Sequence, residues 1–148
     1  STLRFDGKVA VITGAGRGIG NSSLSSSLRE EQKWLLMTLG LAIGEGQSQP
    51  IAEDVVKEIV SKGGFAVADQ HSVIEGEKII QTAVKSFGKV DILINNAGVS
   101  RPAPFQDTTP KRLAINIPRA VDGAFKCTRA VWNLMREQGY GRIINMSS

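Results

Sequence analysis

The segment KVAVIT at residues 8–13 is a short apolar run that ends at a cluster of glycines. Such a run predicts a strand buried on both faces of a parallel sheet. The same pattern predicts strands at residues 65–68 (FAVA), 90–95 (VDILIN) and 142–146 (RIINM). Between the strands the spacing of apolar positions becomes helical. In residues 51–62, Ile51, Val55, Ile59 and Val60 form the expected inner face, and Gly63 with Gly64 stops the helix. Ser72 is placed to cap a second helix, which carries Ile79, Ile80, Val84 and Phe87 at helical spacing and stops at Gly88. A third helix is expected over residues 123–138, with Phe125, Ala130, Val131 and Leu134 facing inward.

Strands alternating with helices predict an α/β fold, a Rossmann-like doubly wound parallel sheet with helices on both faces. Two stretches resist the pattern. Residues 21–50 have no clean period, and the run from Ser22 to Ser27 would make a helix with low propensity and no apolar face. Residues 109–122 should continue a helix, but Pro118 removes a hydrogen bond and crowds the preceding turn, at a cost of about 3 kcal/mol. The sheet is therefore expected to be incomplete, with C-terminal strands missing and its second strand in doubt.

A length of 148 residues suits one domain, and 41% hydrophobic with 22% charged residues excludes global disorder. The single cysteine, Cys127, excludes a disulfide framework and points to a reducing compartment. No apolar run approaches the roughly 20 residues of a membrane span, so no membrane partner is expected. The first residues, STLRFDGKVAV, lack the apolar core of a secretory signal. The formal charge of +4 is scattered, which argues against nucleic acid and suits small anionic ligands. No metal-ligand cluster stands out.

The loop TGAGRGIG at residues 13–20 leaves the first strand. The common G-x-G-x-x-G fingerprint fails because its third glycine falls on Ile19; the spacing that fits is T-G-x-x-x-G-x-G, with Gly14, Gly18 and Gly20. Gly14 permits a tight exit from the strand, Gly18 lets the backbone approach a pyrophosphate, and Gly20 lets the next helix pack closely on the sheet. Amides at that helix start then face the phosphates. An ordinary glycine-rich turn is the competing reading. The second signal is NNAG at residues 95–98, where the third strand ends at the edge of the sheet that binds ligands in such folds.

With TGAGRGIG followed by NNAG, the chain resembles the short-chain dehydrogenase/reductase family over residues 3–20 and 51–148. LRFDGKVAVITGAG, HSVIEGEKIIQTAVKSFGKVDILINNAG and MREQGYGRIINMSS look most like the N-terminal (3R)-hydroxyacyl-CoA dehydrogenase domains of peroxisomal multifunctional enzymes of type 2. The resemblance implies that residues 1–148 are the N-terminal part of an NAD-binding domain. The function it implies is NAD-dependent oxidation of a 3-hydroxyacyl-CoA to the 3-ketoacyl-CoA in fatty-acid metabolism. It also implies a peroxisomal location and a homodimer of the intact domain, built through helices that include the one after residue 109.

Carried over by position, the loop Gly14, Gly16, Arg17, Gly18, Ile19 and Gly20 would hold the pyrophosphate of NAD. Ser72 and Val73 would border the adenine, although His71 stands where the family has an aspartate. Asn96, Ala97 and Gly98 would line the ribose and nicotinamide side, and Ser148 matches the catalytic serine that hydrogen-bonds the substrate oxygen. The family's general acid/base is a tyrosine in a Y-x-x-x-K motif beyond that serine, its pKa lowered by the lysine. The only tyrosine of this sequence, Tyr140, lies upstream of the last predicted strand, and Ala120 replaces a polar relay residue.

In place of the family's second strand, which resembles VVVND, the chain has EQKWLLMTLG at residues 31–40. One permitted codon choice for Leu28–Gly40, read after dropping two bases, translates as ERGAKVVVNDLG, and Met37-Thr38 forces the aspartate whatever the synonymous choice. An out-of-frame origin for about residues 21–45 is one reading. The other is a divergent insert in which Leu35, Leu36, Met37 and Leu39 supply a substitute strand.

Three functions follow. The chain is part of an NAD-dependent dehydrogenase of acyl-CoA or another small hydroxy or keto compound, or a non-catalytic nucleotide- or partner-binding remnant of one, or part of a different short-chain carbonyl or 3-ketoacyl reductase.

Overall fold

The computed structural model describes residues 7–14, 33–37, 50–61, 63–97 and 110–146. Five strands, β1 (Val9–Ile12), β2 (Lys33–Met37), β3 (Phe65–Asp69), β4 (Ile92–Asn95) and β5 (Arg142–Asn145), form one sheet in the order β3-β2-β1-β4-β5. Every neighbouring pair is parallel. Helix α1 (Pro50–Ser61) joins β2 to β3, α2 (Gly76–Phe87) joins β3 to β4, and α3 (Pro110–Glu137) joins β4 to β5. The sheet is an incomplete, parallel, Rossmann-like one, as its pattern predicts.

Alternation along β1 divides the core. Ala10 and Ile12 pack with Ile92 against Val55 and Ile59 of α1. Val11 and Leu93 point the other way, into a cluster with Ile79, Ile80 and Ala83 of α2 and Cys127, Val131 and Met135 of α3. Burying an Ile, Leu or Val side chain is worth about 1.5–3 kcal/mol. These two clusters thus fasten helices to both faces of the central strands. Residues 51–62 and 123–138 each mispredict one position. Val60 and Phe125 were expected inside, yet they are 53% and 61% exposed. Val60 follows the fully buried Ile59, and a one-residue step turns a helix by about 100°, off the buried stripe. Phe125 is likewise displaced by Cys127, Val131 and Met135, whose four-residue spacing defines the inner face of α3.

The stretch without a clean period supplies β2, paired to β1 from Val9↔Lys33 to Ile12↔Leu36 and to β3 from Lys33↔Phe65 to Met37↔Asp69. A strand flanked on both sides takes its conformation from its neighbours more than from its own pattern. Leu39 lies outside the described residues. Pro118 does not end α3, which runs unbroken from Pro110 to Glu137. The proline forfeits one intrahelical bond, the one to the carbonyl of residue 114.

Helix ends follow their local chemistry. After α1 the amides of Gly63 and Gly64 return to the carbonyls of Val60 and Ile59, with Gly63 at φ +83°. Ser72 caps a 3-10 turn (Val73–Glu75) that leads into α2. Its hydroxyl accepts from the Ile74 amide, and the Glu75 carboxylate accepts from the Ser72 amide. The strand order turns back between β1 and β4, so the crevice that takes ligands in such sheets opens at the carboxyl ends of these two strands.

Candidate functional site: the seam between two strand ends

Thr13 follows the last residue of β1 and is 2% exposed. Its amide donates to the carbonyl of Ile94 at 3.0 Å, extending the ladder one step past the strand. Its hydroxyl accepts from two successive amides, Asn96 at 3.1 Å and Ala97 at 3.0 Å, and lies 3.4 Å from the Ile94 carbonyl to which it donates. The Asn96 side-chain amide crosses in the other direction and donates to the Gly14 carbonyl at 3.1 Å. Five bonds thus sew the two strand ends together at the reversal of strand order.

Gly14 completes the seam. Its φ is +67°, in the left-handed region, and a Cβ there would stand 2.7 Å from the Cα of Ala97. The two backbones can approach this closely only without a side chain at residue 14. The result is a crevice mouth at which the backbone of residue 14 carries no side chain and lies against Ala97. This is the surface an extended diphosphate needs for close contact with backbone.

Of the sequence-predicted residues, the structure brings Gly14, Asn96 and Ala97 together. Gly16, Arg17, Gly18, Ile19, Gly20, Gly98 and Ser148 lie outside the described residues. Ser72 and Val73 sit beyond the end of β3. Val73 also packs on α3: a Cβ on Gly123 would meet its Cγ2 at 2.6 Å, and its carbonyl accepts from the Cys127 thiol at 3.6 Å.

Sequence reasoning assigned no role to Thr13, although it opens the T-G-x-x-x-G-x-G pattern; its partners lie 83 and 84 residues away. It also gave no role to Asn95. The side-chain amide of Asn95 donates to Asn145 Oδ1 at 2.8 Å and Thr128 Oγ1 at 3.2 Å, tying β4 to β5 and α3. Its Oδ1 is buried and, among the described residues, has no hydrogen-bond partner.

At the end of β3, Asp69 is buried and faces His71. The Asp69 Oδ1 accepts from the His71 amide at 2.7 Å, and the ring Nδ1 lies 2.9 and 3.0 Å from the two carboxylate oxygens. Glu75, close by, is held below the usual glutamate value, first by the hydrogen bond from Lys78 and then by the Ser72 amide.

The opposite edge of the sheet holds different chemistry. Burial opposes the charge of Asp91, but the Val9 amide at 2.8 Å and the ammonium groups of Lys89 at 2.9 Å and Lys8 at 3.5 Å outweigh it, so its carboxyl sits below the ordinary aspartate value. Tyr140 lies here too, its ring centroid 3.7 Å from Lys8 Nζ and 5.0 Å from the Arg142 guanidinium. It precedes the first residue of β5, at the other end of the strands from the seam. Among the described residues there is no cluster that could hold a metal ion and no helix long and apolar enough to cross a membrane.

The family model for short chain dehydrogenases matches residues 8–148. The chain belongs to this family. As a short-chain dehydrogenase chain, it has the NAD(P)-binding fold. It is 46% identical over 147 residues to peroxisomal multifunctional enzyme type 2 of Drosophila melanogaster, with 99% of this chain and 25% of that protein covered. Among solved structures it is similar to a short chain dehydrogenase from Mycobacterium avium, with a TM-score of 0.80 and 34% identity over 97% of this chain and 53% of the other. It is also similar to an NAD+-bound xylitol dehydrogenase, with a TM-score of 0.81 and 32% identity over 99% and 55%. The chain therefore spans a quarter of that multifunctional relative and about half of the solved short-chain dehydrogenases.

Proposed function

We propose that the chain is the coenzyme-binding N-terminal part of a dehydrogenase domain that uses NAD to oxidise (3R)-hydroxyacyl-CoA to 3-ketoacyl-CoA in peroxisomal fatty-acid oxidation. The observation that carries this reading is the seam itself: Thr13, Asn96 and Ala97 bring the two loops together at the reversal of strand order, with a glycine, Gly14, at the closest approach. The similarity to the peroxisomal multifunctional enzyme supports the substrate class and the location.

In this reading Gly14 and the glycines after it hold the pyrophosphate, and Asn96, Ala97 and Gly98 line the path toward the nicotinamide. NAD supplies the hydride acceptor. Ser148 orients the substrate oxygen. The buried carboxylate of Asp69, in register with Met37 at the end of β2, puts negative charge near the adenosine end, which favours NAD over the extra phosphate of NADP. The exposed Val121, Phe125 and Trp132 on the outward side of α3 support a homodimer of the intact domain.

A second reading, a non-catalytic nucleotide-binding remnant, is favoured by one observation. The sequence has a single tyrosine, and Tyr140 sits at the edge of the sheet away from the seam, between Lys8 and Arg142. In the dehydrogenase reading the proton-transferring tyrosine is therefore not Tyr140. The test is NADH formation from a 3-hydroxyacyl-CoA by the 148-residue chain and by a version extended through a Tyr-x-x-x-Lys segment. The account expects turnover only from the extended version. Turnover by neither would leave the remnant reading, and turnover by the short chain would contradict the role given to the tyrosine of that segment.

A further inference from the structure

β4 and β5 pair from Ile92↔Arg142 to Asn95↔Asn145. Two of the rungs before the last, Leu93↔Ile143 and Ile94↔Ile144, match apolar residues. The last rung is different, because two carboxamides stand side by side. Asn95 is 7% exposed and donates from Nδ2 to Asn145 Oδ1 at 2.8 Å and to Thr128 Oγ1 of α3 at 3.2 Å. Its main-chain carbonyl accepts from the Met146 amide at 3.0 Å, one step past β5. One buried residue therefore holds the end of β5 at two points, by its side chain and by its backbone, and ties that end to α3.

The stability of the sheet does not call for this arrangement. Asn95 Oδ1 is buried and, among the described residues, has no partner, and a buried polar atom left unused costs about 1–3 kcal/mol. An apolar residue at this rung, like those before it, would keep the backbone bonds without that cost. What an apolar rung lacks is a directional bond that fixes the side chain of residue 145 and the exit of the chain from β5. Ser148 stands two residues beyond Met146, so its Cα lies within about 7 Å of that anchored residue. A side chain that orients a reacting oxygen must be held to about 0.5 Å. A displacement of about 1 Å can cost on the order of a hundredfold in rate.

We propose that the Asn95–Asn145 pair is the positioning device for Ser148: it fixes where the chain leaves β5 and thereby where the serine hydroxyl meets the substrate oxygen. The assignment rests on the dehydrogenase reading above and deepens it by naming two residues that act on the reaction only through Ser148.

Hydrogen exchange on the 148-residue chain tests the anchor. Asn145 is exposed, so Asn145→Ala removes the acceptor with little risk to the fold. The Met146 amide is expected to exchange about two- to tenfold faster in this variant, as for the loss of one hydrogen bond. Asn145→Asp, whose carboxylate still accepts from Asn95 Nδ2, should bring the rate back. Unchanged exchange in Asn145→Ala would overturn the proposal.

Kinetics on the version extended through a Tyr-x-x-x-Lys segment test the consequence. Asn145→Ala is expected to lower kcat about tenfold or more, with KM and the Kd for NAD changed less than about threefold, and Asn145→Asp to recover most of the loss. Asn95→Leu, which removes the donor, should behave like Asn145→Ala; if it fails to fold, Asn145→Ala decides. In a Ser148→Ala background Asn145→Ala should lower kcat no further, because residues that act as a unit are not additive. A loss by the same factor with and without the Ser148 hydroxyl would sink the proposal and leave the dehydrogenase reading standing. Full turnover by Ser148→Ala, or none by the extended version, would sink the proposal together with the role that reading gives Ser148.

Discussion

A Cβ on Gly14 would stand 2.7 Å from the Cα of Ala97. No real Cβ sits so close to a backbone atom, so this glycine is what lets the loop after β1 lie against the loop after β4. Gly14→Ala must also hold alanine at a φ near +67°, a left-handed conformation that costs roughly 1–2 kcal/mol by itself. With the overlap added, the expected loss in urea-unfolding stability exceeds about 2 kcal/mol. A change within a few tenths would show that the two loops are not pressed together.

Thr13 is a positioning residue for the same seam. Thr13→Val keeps the shape and removes the oxygen that accepts from the Asn96 and Ala97 amides. Leaving buried donors unsatisfied costs about 1–3 kcal/mol. Thr13→Ser retains the oxygen and gives up only a methyl group, for about 1 kcal/mol. Chemical denaturation should therefore rank the threonine chain first, serine next and valine last, with faster hydrogen exchange at the Asn96 and Ala97 amides in the valine variant alone.

Asp91 makes a pH-dependent contribution whose sign follows from its partners. Its folded-state value is depressed, so the stabilisation is present above the unfolded-state value, about 3.9, and is lost as pH falls through the lower folded value. Asp91→Asn should lower stability by about 1–3 kcal/mol at neutral pH. The gap between the two chains should close in acid, below about pH 4. A gap independent of pH would mean that the ammonium groups of Lys8 and Lys89 do not matter to the fold.

Cys127 is fully buried in the cluster between α2, α3 and the sheet, and burial pushes its thiol up to about 11. The thiolate is the reactive form. An aromatic disulfide reagent at neutral pH should leave the folded chain unlabelled and label one thiol per chain in denaturant. Rapid labelling under native conditions would place Cys127 outside the core.

The strands β1, β3, β4 and β5 were legible because each is a short apolar run bounded by glycine or polar residues. Gly14, Asn96 and Ala97 were legible because glycine spacing and strand ends carry local chemistry. β2 was legible only as one of two readings, the substitute strand through Leu35, Leu36 and Met37, since Lys33–Met37 is shaped by hydrogen bonds to strands on both sides. The inner face of α3 was misjudged at Phe125 because an aromatic residue reads as core even when the four-residue spacing of Cys127, Val131 and Met135 turns it outward. Thr13 and the Asp69–His71 pair escaped for another reason: the roles depend on contacts made only after folding. Thr13 acts on amides more than 80 residues distant, and His71 reads as a loop residue until the buried carboxylate behind it is seen.

The most direct test of the seam as a dinucleotide site is residue-resolved NMR of the chain titrated with NAD. The account predicts saturable shifts at the amides of Gly14, Asn96 and Ala97, with the far edge around Lys8, Tyr140 and Arg142 unmoved. Saturable shifts confined to that far edge, or none at the seam at saturating NAD, would contradict it.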